Sequence, residues 1–93
     1  LKKIKKMSKG YEVTTNSLLF TGIGAISSVV LTASASNSTV IVYDNTEGSG
    51  TILVTIKATA NTSCTSYLGS KSFGNGVYAA VTGTGAKAYV DIL

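Results

Sequence analysis

Residues 40–56, VIVYDNTEGSGTILVTI, constrain the fold more than any other stretch: two apolar runs rich in β-branched residues flank a polar loop that holds two glycines. Val40, Ile41, Val42 and Tyr43 on one side, and Ile52, Leu53, Val54 and Ile56 on the other, suit a pleated, half-buried surface, and both runs are too short for helices. Asp44 and Asn45 can bond back to nearby backbone, and Gly48 and Gly50 can adopt the positive φ angles that a reversal needs. The stretch predicts a β-hairpin whose turn is set by Asp44, Asn45, Gly48 and Gly50. In the second arm Ile52, Val54 and Ile56 alternate with Thr51, Thr55 and Lys57, which predicts that the first set faces a core and the second faces solvent. Leu53 breaks the alternation, as it would if the outer face were also partly covered.

The same vocabulary fills the rest of the chain. Strands are predicted at 11–15, 17–21, 25–33, 38–44, 51–60, 63–68, 77–82 and 86–92, with turns at Gly22/Gly24, Ser36-Asn37, 45–50, Asn61-Thr62, 69–76 and 83–85. Nothing repeats at the 3.6-residue helical period. About eight short strands at this spacing predict an all-β domain, a small antiparallel β-sandwich or barrel. We assign residues 11–93 to that single domain and residues 1–10 to an extended, basic N-terminal arm. The closing Val90-Asp91-Ile92-Leu93 is too apolar for a free tail and reads as a paired strand. LLFTGIGAISSVVL, following lysines, imitates a secretory signal. The polar insert from Tyr11 to Asn16 and the breaks at Thr21, Gly22, Gly24, Ser27 and Ser28 favour two strands instead. No apolar run approaches the roughly 20 residues a membrane span needs, and no membrane partner is expected.

A 93-residue chain has room for one domain, and domains this small lean on disulfides, metals or assembly. Cys64 is the only cysteine, which excludes an internal disulfide, and there is no histidine, the commonest metal ligand. Assembly is left, so a homo-oligomer or docking on a larger shell is expected. Charged residues are only 13% of the chain, which protects a monomer poorly against association. Without proline, strand edges must be shielded by charge, bulges or a partner strand.

Five of the eight lysines, Lys2, Lys3, Lys5, Lys6 and Lys9, lie in the first nine residues. From Gly10 onward Lys57, Lys71 and Lys87 stand against Glu12, Asp44, Glu47 and Asp91, so the domain proper is near neutral. With no arginine for bidentate readout, specific nucleic-acid binding is not expected. The arm is either a solvated tail, with Met7 as the true start, or a partner contact in which Lys2, Lys3, Ile4, Lys5 and Lys6 rest on an acidic neighbour.

Catalysis finds little to work with. Serine and cysteine lack a histidine base, and Cys64 has no nearby cation in sequence, so it reads as a buried or half-buried apolar residue or an intersubunit disulfide partner. Asp44, Asn45 and Glu47 share one loop and could gather Ca²⁺, but their spacing matches no EF-hand, and turn fixing is the simpler role. The glycines around Lys71 do not fit a phosphate loop, and Gly22-x-Gly24 does not fit a dinucleotide site. No enzyme activity, cofactor or metal is expected.

VIVYDNTEGSGTIL and the ending GVYAAVTGTGAKAYVDIL resemble small structural proteins of tailed bacteriophages, which carry a Tyr-Asp-Asn-Thr-x-Gly-Ser-Gly-Thr hairpin and a closing Thr-Gly-Thr turn. The matching positions are Tyr43, Asp44, Asn45, Thr46, Gly48, Ser49, Gly50 and Thr51, with Thr82, Gly83 and Thr84. The resemblance implies a jelly-roll-like sandwich serving in the virion as a capsid decoration, head fibre or tail accessory subunit. Its partners would be other capsid or tail proteins, in a homo-oligomer with a trimer favoured. Two other functions fit the residues: a surface-displayed carbohydrate-binding module using Tyr78, Tyr89 and the loop around Phe73, or an extracellular filament built by strand addition.

Overall fold

A computed structural model describes residues 9–93. Eight strands follow in order: β1 Lys9–Val13, β2 Ser17–Thr21, β3 Gly24–Thr32, β4 Ser38–Tyr43, β5 Ile52–Ala58, β6 Ser63–Phe73, β7 Gly76–Thr82 and β8 Lys87–Ile92. β1 begins two residues before the predicted strand, because Lys9 and Gly10 pair with Ile92 and Asp91 of β8. The residues assigned to partner contact, Lys2, Lys3, Ile4, Lys5 and Lys6, lie outside the described residues.

The pairings β1·β8, β2·β7, β3·β6 and β4·β5 are all antiparallel, as in one long ribbon whose tip is the β4–β5 hairpin. Rolling that ribbon brings β8 beside β3 and β7 beside β4. The result is two four-stranded sheets, a first of order β1-β8-β3-β6 and a second of order β2-β7-β4-β5. Such a double-sheet sandwich of eight strands is a jelly roll. The chain end expected to pair becomes a central strand of the first sheet, between β1 and β3.

The inner faces meet in an apolar core to which every strand contributes, with Ile26, Val29, Leu31, Val40, Val42, Val77 and Val90 fully buried. β-Branched residues dominate because they keep their side chains rigid on a pleated surface. Phe73 closes one end, edge-on to Phe20 with ring centroids 5.6 Å apart.

Bulges account for two departures from the expected strands. In β5 Val54 faces Val42 and Ile52 faces Tyr43, so Leu53 is an extra residue. It turns into the core while Ile52 turns outward, 51% exposed. The Leu53 irregularity is therefore a bulge that resets the alternation, not a sign of a covered outer face. In β6 Lys71 faces Ile26 and Tyr67 faces Ser28. The surplus residues are looped out around Gly69, whose φ of 71° suits glycine. Gly69 thus bends a long strand, and the predicted 69–76 turn shrinks to Gly74-Asn75.

Candidate functional site

The two outer faces differ in character. On the first sheet Glu12 and Tyr89 are paired across β1 and β8. Tyr89 Oη donates to Glu12 Oε2 at 2.9 Å, and Lys87 Nζ stands 3.7 Å from the same oxygen. The hydrogen bond and the charge of Glu12 both favour the neutral phenol and raise the Tyr89 pKa above its ordinary value. This face combines the charged Glu12 and Lys87 with two exposed tyrosines, Tyr89 and, on the edge strand β6, Tyr67.

The second sheet is different. Burial of Val40, Val42, Val77 and Ala79 sends Ile41, Tyr43, Tyr78 and Ala80 to the outside. Leu18 pairs with Tyr78, Tyr78 with Tyr43, and Tyr43 with Ile52, forming one uncharged row across all four strands. Three gaps of about 4.8 Å make the row roughly 15 Å long. Its two ends, Leu18 and Ile52, are 48% and 51% exposed. Each sits beside a bulge on an edge strand, at Leu19 in β2 and Leu53 in β5. Bulges re-aim side chains, and here they turn a large apolar residue outward on both margins. Next along the face, Ala80 and Ile41 are paired, with Thr55 beyond them, and Lys57 stands further out beside Thr39.

The β4–β5 loop borders this row. Gly50 has the expected positive φ of 96°, but Gly48 is not among the positive-φ glycines. Gly48 is needed for closeness instead: a Cβ there would come within 3.1 Å of Tyr78 Cε1. Asn45 fixes the turn, with Nδ2 donating to Ser49 O at 2.8 Å and Oδ1 accepting from Thr46 N–H at 2.8 Å.

Asp44 reaches across to a different turn. Its carboxylate accepts from the backbone N–H groups of Asn75 (2.8 Å), Gly74 (3.1 Å to each oxygen) and Gly76 (3.4 Å). Desolvation, the largest single influence, pushes its pKa up, but the Asn75, Gly74 and Gly76 donors together outweigh it and hold the carboxyl below its ordinary value. A carboxylate so engaged clasps the chain to itself and is not set out to gather a cation with Glu47. The Gly-Asn-Gly turn, with consecutive N–H groups, was the signal for this clasp in the sequence.

Other expected groupings do not form. Phe73 is buried, and Tyr78 and Tyr89 lie on opposite outer faces, so the three do not make one sugar platform. Cys64 is exposed, against the buried or half-buried position expected, because β6 is an edge strand. Among the described residues no group of three or more His, Cys, Asp or Glu side chains converges as a metal site would require. No helix is long and apolar enough to cross a membrane, among the described residues. No protein-family model matches the chain, and neither a curated protein nor a solved structure matches it at a significant level.

Proposed function

We propose that this chain is a non-enzymatic structural subunit of a phage-like virion, a capsid decoration or head/tail accessory protein, held as a homo-oligomer through the outer face of its second sheet. The observation that carries the building-block role is the Leu18–Tyr78–Tyr43–Ile52 row, uncharged, unbroken across four strands and open at both ends, whereas on the other outer face Tyr89 is tied to the charged Glu12. Adjoining apolar residues on one face mark contact surfaces more than scattered ones do. Aromatic residues such as Tyr43 and Tyr78 suit such contacts because each joins an apolar ring to a polar tip.

Support for the virion setting is of another kind: the hairpin and Thr-Gly-Thr resemblance, and the jelly roll, a fold found in viral capsid and lectin domains. The second is analogy at the level of fold. Lys2, Lys3, Ile4, Lys5 and Lys6 complete the proposal as a second contact, on an acidic neighbour.

The test is co-purification. Particles from the culture that encodes the chain are banded on a density gradient and their proteins quantified by mass spectrometry. A constant ratio of this chain to the major shell protein across the particle peak is expected, with loss of the chain from particles when residues 1–8 are deleted. Recovery only in the particle-free fractions would overturn the proposal.

A further inference from the structure

The β6–β7 turn ends in Asn75-Gly76, a pair in which the backbone nitrogen of the glycine can attack the side-chain amide of the asparagine. Glycine exposes that nitrogen and permits the backbone angles the attack needs. The fold cannot replace it: a Cβ on Gly76 would lie 2.5 Å from Phe20 O and 3.2 Å from Asn45 O.

In the folded chain, each group that must move is held. Asn75 N–H donates to Asp44 Oδ1 at 2.8 Å, and Asn75 O accepts from Gly22 N–H at 3.0 Å, which fixes the peptide planes on both sides of the asparagine. Gly76 N–H, the nucleophile once deprotonated, points to Asp44 Oδ1 at 3.4 Å. The leaving amide, Asn75 Nδ2, donates to Asp44 O at 3.5 Å. The negative charge of Asp44 also opposes loss of the Gly76 amide proton.

We propose that Asn75 is a latent self-modification site, gated by Asp44: it converts to aspartate and isoaspartate when the clasp opens and stays asparagine while it is closed. The Gly76 nitrogen gives its proton to solvent and bonds to Asn75 Cγ. The Cγ–Nδ2 bond breaks, and ammonia leaves with a proton taken back from solvent. Water then opens the resulting five-membered imide at either carbonyl. The sum is one water consumed and one ammonia released, with no oxidant or reductant.

The product cannot restore the clasp. A carboxylate oxygen replaces the donor that faced Asp44 O, and a second negative charge stands beside the Asp44 carboxylate. The modification acts as a one-way latch on the β4–β5 loop that borders Tyr78. It depends on the clasp alone and not on the proposed virion role.

The experiment incubates folded wild-type protein, Asp44→Ala, Asn75→Gln and a synthetic peptide of residues 70–80 at neutral pH, and follows residue 75 by peptide mapping. The peptide is expected to convert readily and the folded wild type at least about tenfold more slowly, since hydrogen bonds to a charged group are being broken. Asp44→Ala should approach the peptide rate, Asn75→Gln should stay unmodified there, and Asn16, Asn37, Asn45 and Asn61 should change little in all proteins. Wild type converting as fast as the peptide, or Asp44→Ala as slowly as wild type, would overturn the proposal. If Asp44→Ala does not fold, Asn75→Asp with Asp44 intact decides: an Asp44 carboxyl whose pKa rises in NMR titration supports the latch, and an unchanged value refutes it.

Discussion

Replacing Asp44 by asparagine keeps the shape of the side chain and removes its charge. Hydrogen bonds to a charged group contribute about 1.5–3 kcal/mol when well shielded. Asp44 is only half-buried, so about 0.5–1 kcal/mol for each of the Asn75 and Gly74 bonds is more realistic, with little from Gly76 at 3.4 Å. The expected loss at neutral pH is thus about 1–2 kcal/mol, or roughly 5–10 °C in Tm for a domain of this size. The pH dependence has a definite sign. A carboxyl whose folded pKa lies below its unfolded value contributes stability that is complete above the unfolded pKa, near 4, and disappears as pH falls through the folded value. Urea unfolding of wild type and Asp44→Asn from neutral to strongly acidic pH measures this, and their difference cancels the other carboxylates. The gap should be widest near pH 7 and close as pH falls through the lowered folded pKa of Asp44. Equal stabilities at neutral pH, or a gap that persists in acid, would refute the clasp.

Three further substitutions probe other parts of the fold. Leu31→Ala opens a cavity between the sheets at a fully buried position and should lower unfolding free energy by about 3 kcal/mol in urea titration. Gly83→Ala, where φ is 112° and a Cβ would stand 2.8 Å from Asn37 O and 2.9 Å from Ser38 Cα, should cost about 2 kcal/mol or more by thermal melting. Glu12→Gln removes the charge that Tyr89 Oη faces, so ultraviolet titration of that phenol should show its pKa falling back toward the ordinary tyrosine value; an unmoved titration would contradict the contact.

Much of the architecture was readable because its signals are local. Apolar runs bounded by Gly, Asn and Ser placed all eight strands and the Val40–Ile56 hairpin, and the apolar ending announced β8. Bulges hid what was missed. Leu53 is a one-residue offset and the bulge around Gly69 a two-residue one, and their meaning depends on the partner strand, so Ile52 read as core and the far half of β6 as turn. The row on the outer face of the second sheet was illegible for a deeper reason: Leu18, Tyr43, Ile52 and Tyr78 come from four strands, and only the register brings them together. Asp44 was legible as a turn residue but not as the clasp of a turn thirty residues away.

The central claim is that the outer face of the second sheet is a contact surface between copies. Sedimentation velocity over a concentration series, for wild type and for the Leu18→Lys, Ile52→Lys double variant, tests it most directly. Both substitutions fall on exposed edge positions, where changes in stability stay within about 0.5 kcal/mol each. Wild type should sediment as an oligomer, and the variant as a folded 9.5 kDa monomer whose Tm is lower by what assembly contributes and no longer depends on concentration. A wild type that stays monomeric at every concentration, or an oligomer that the two lysines leave intact, would contradict the account.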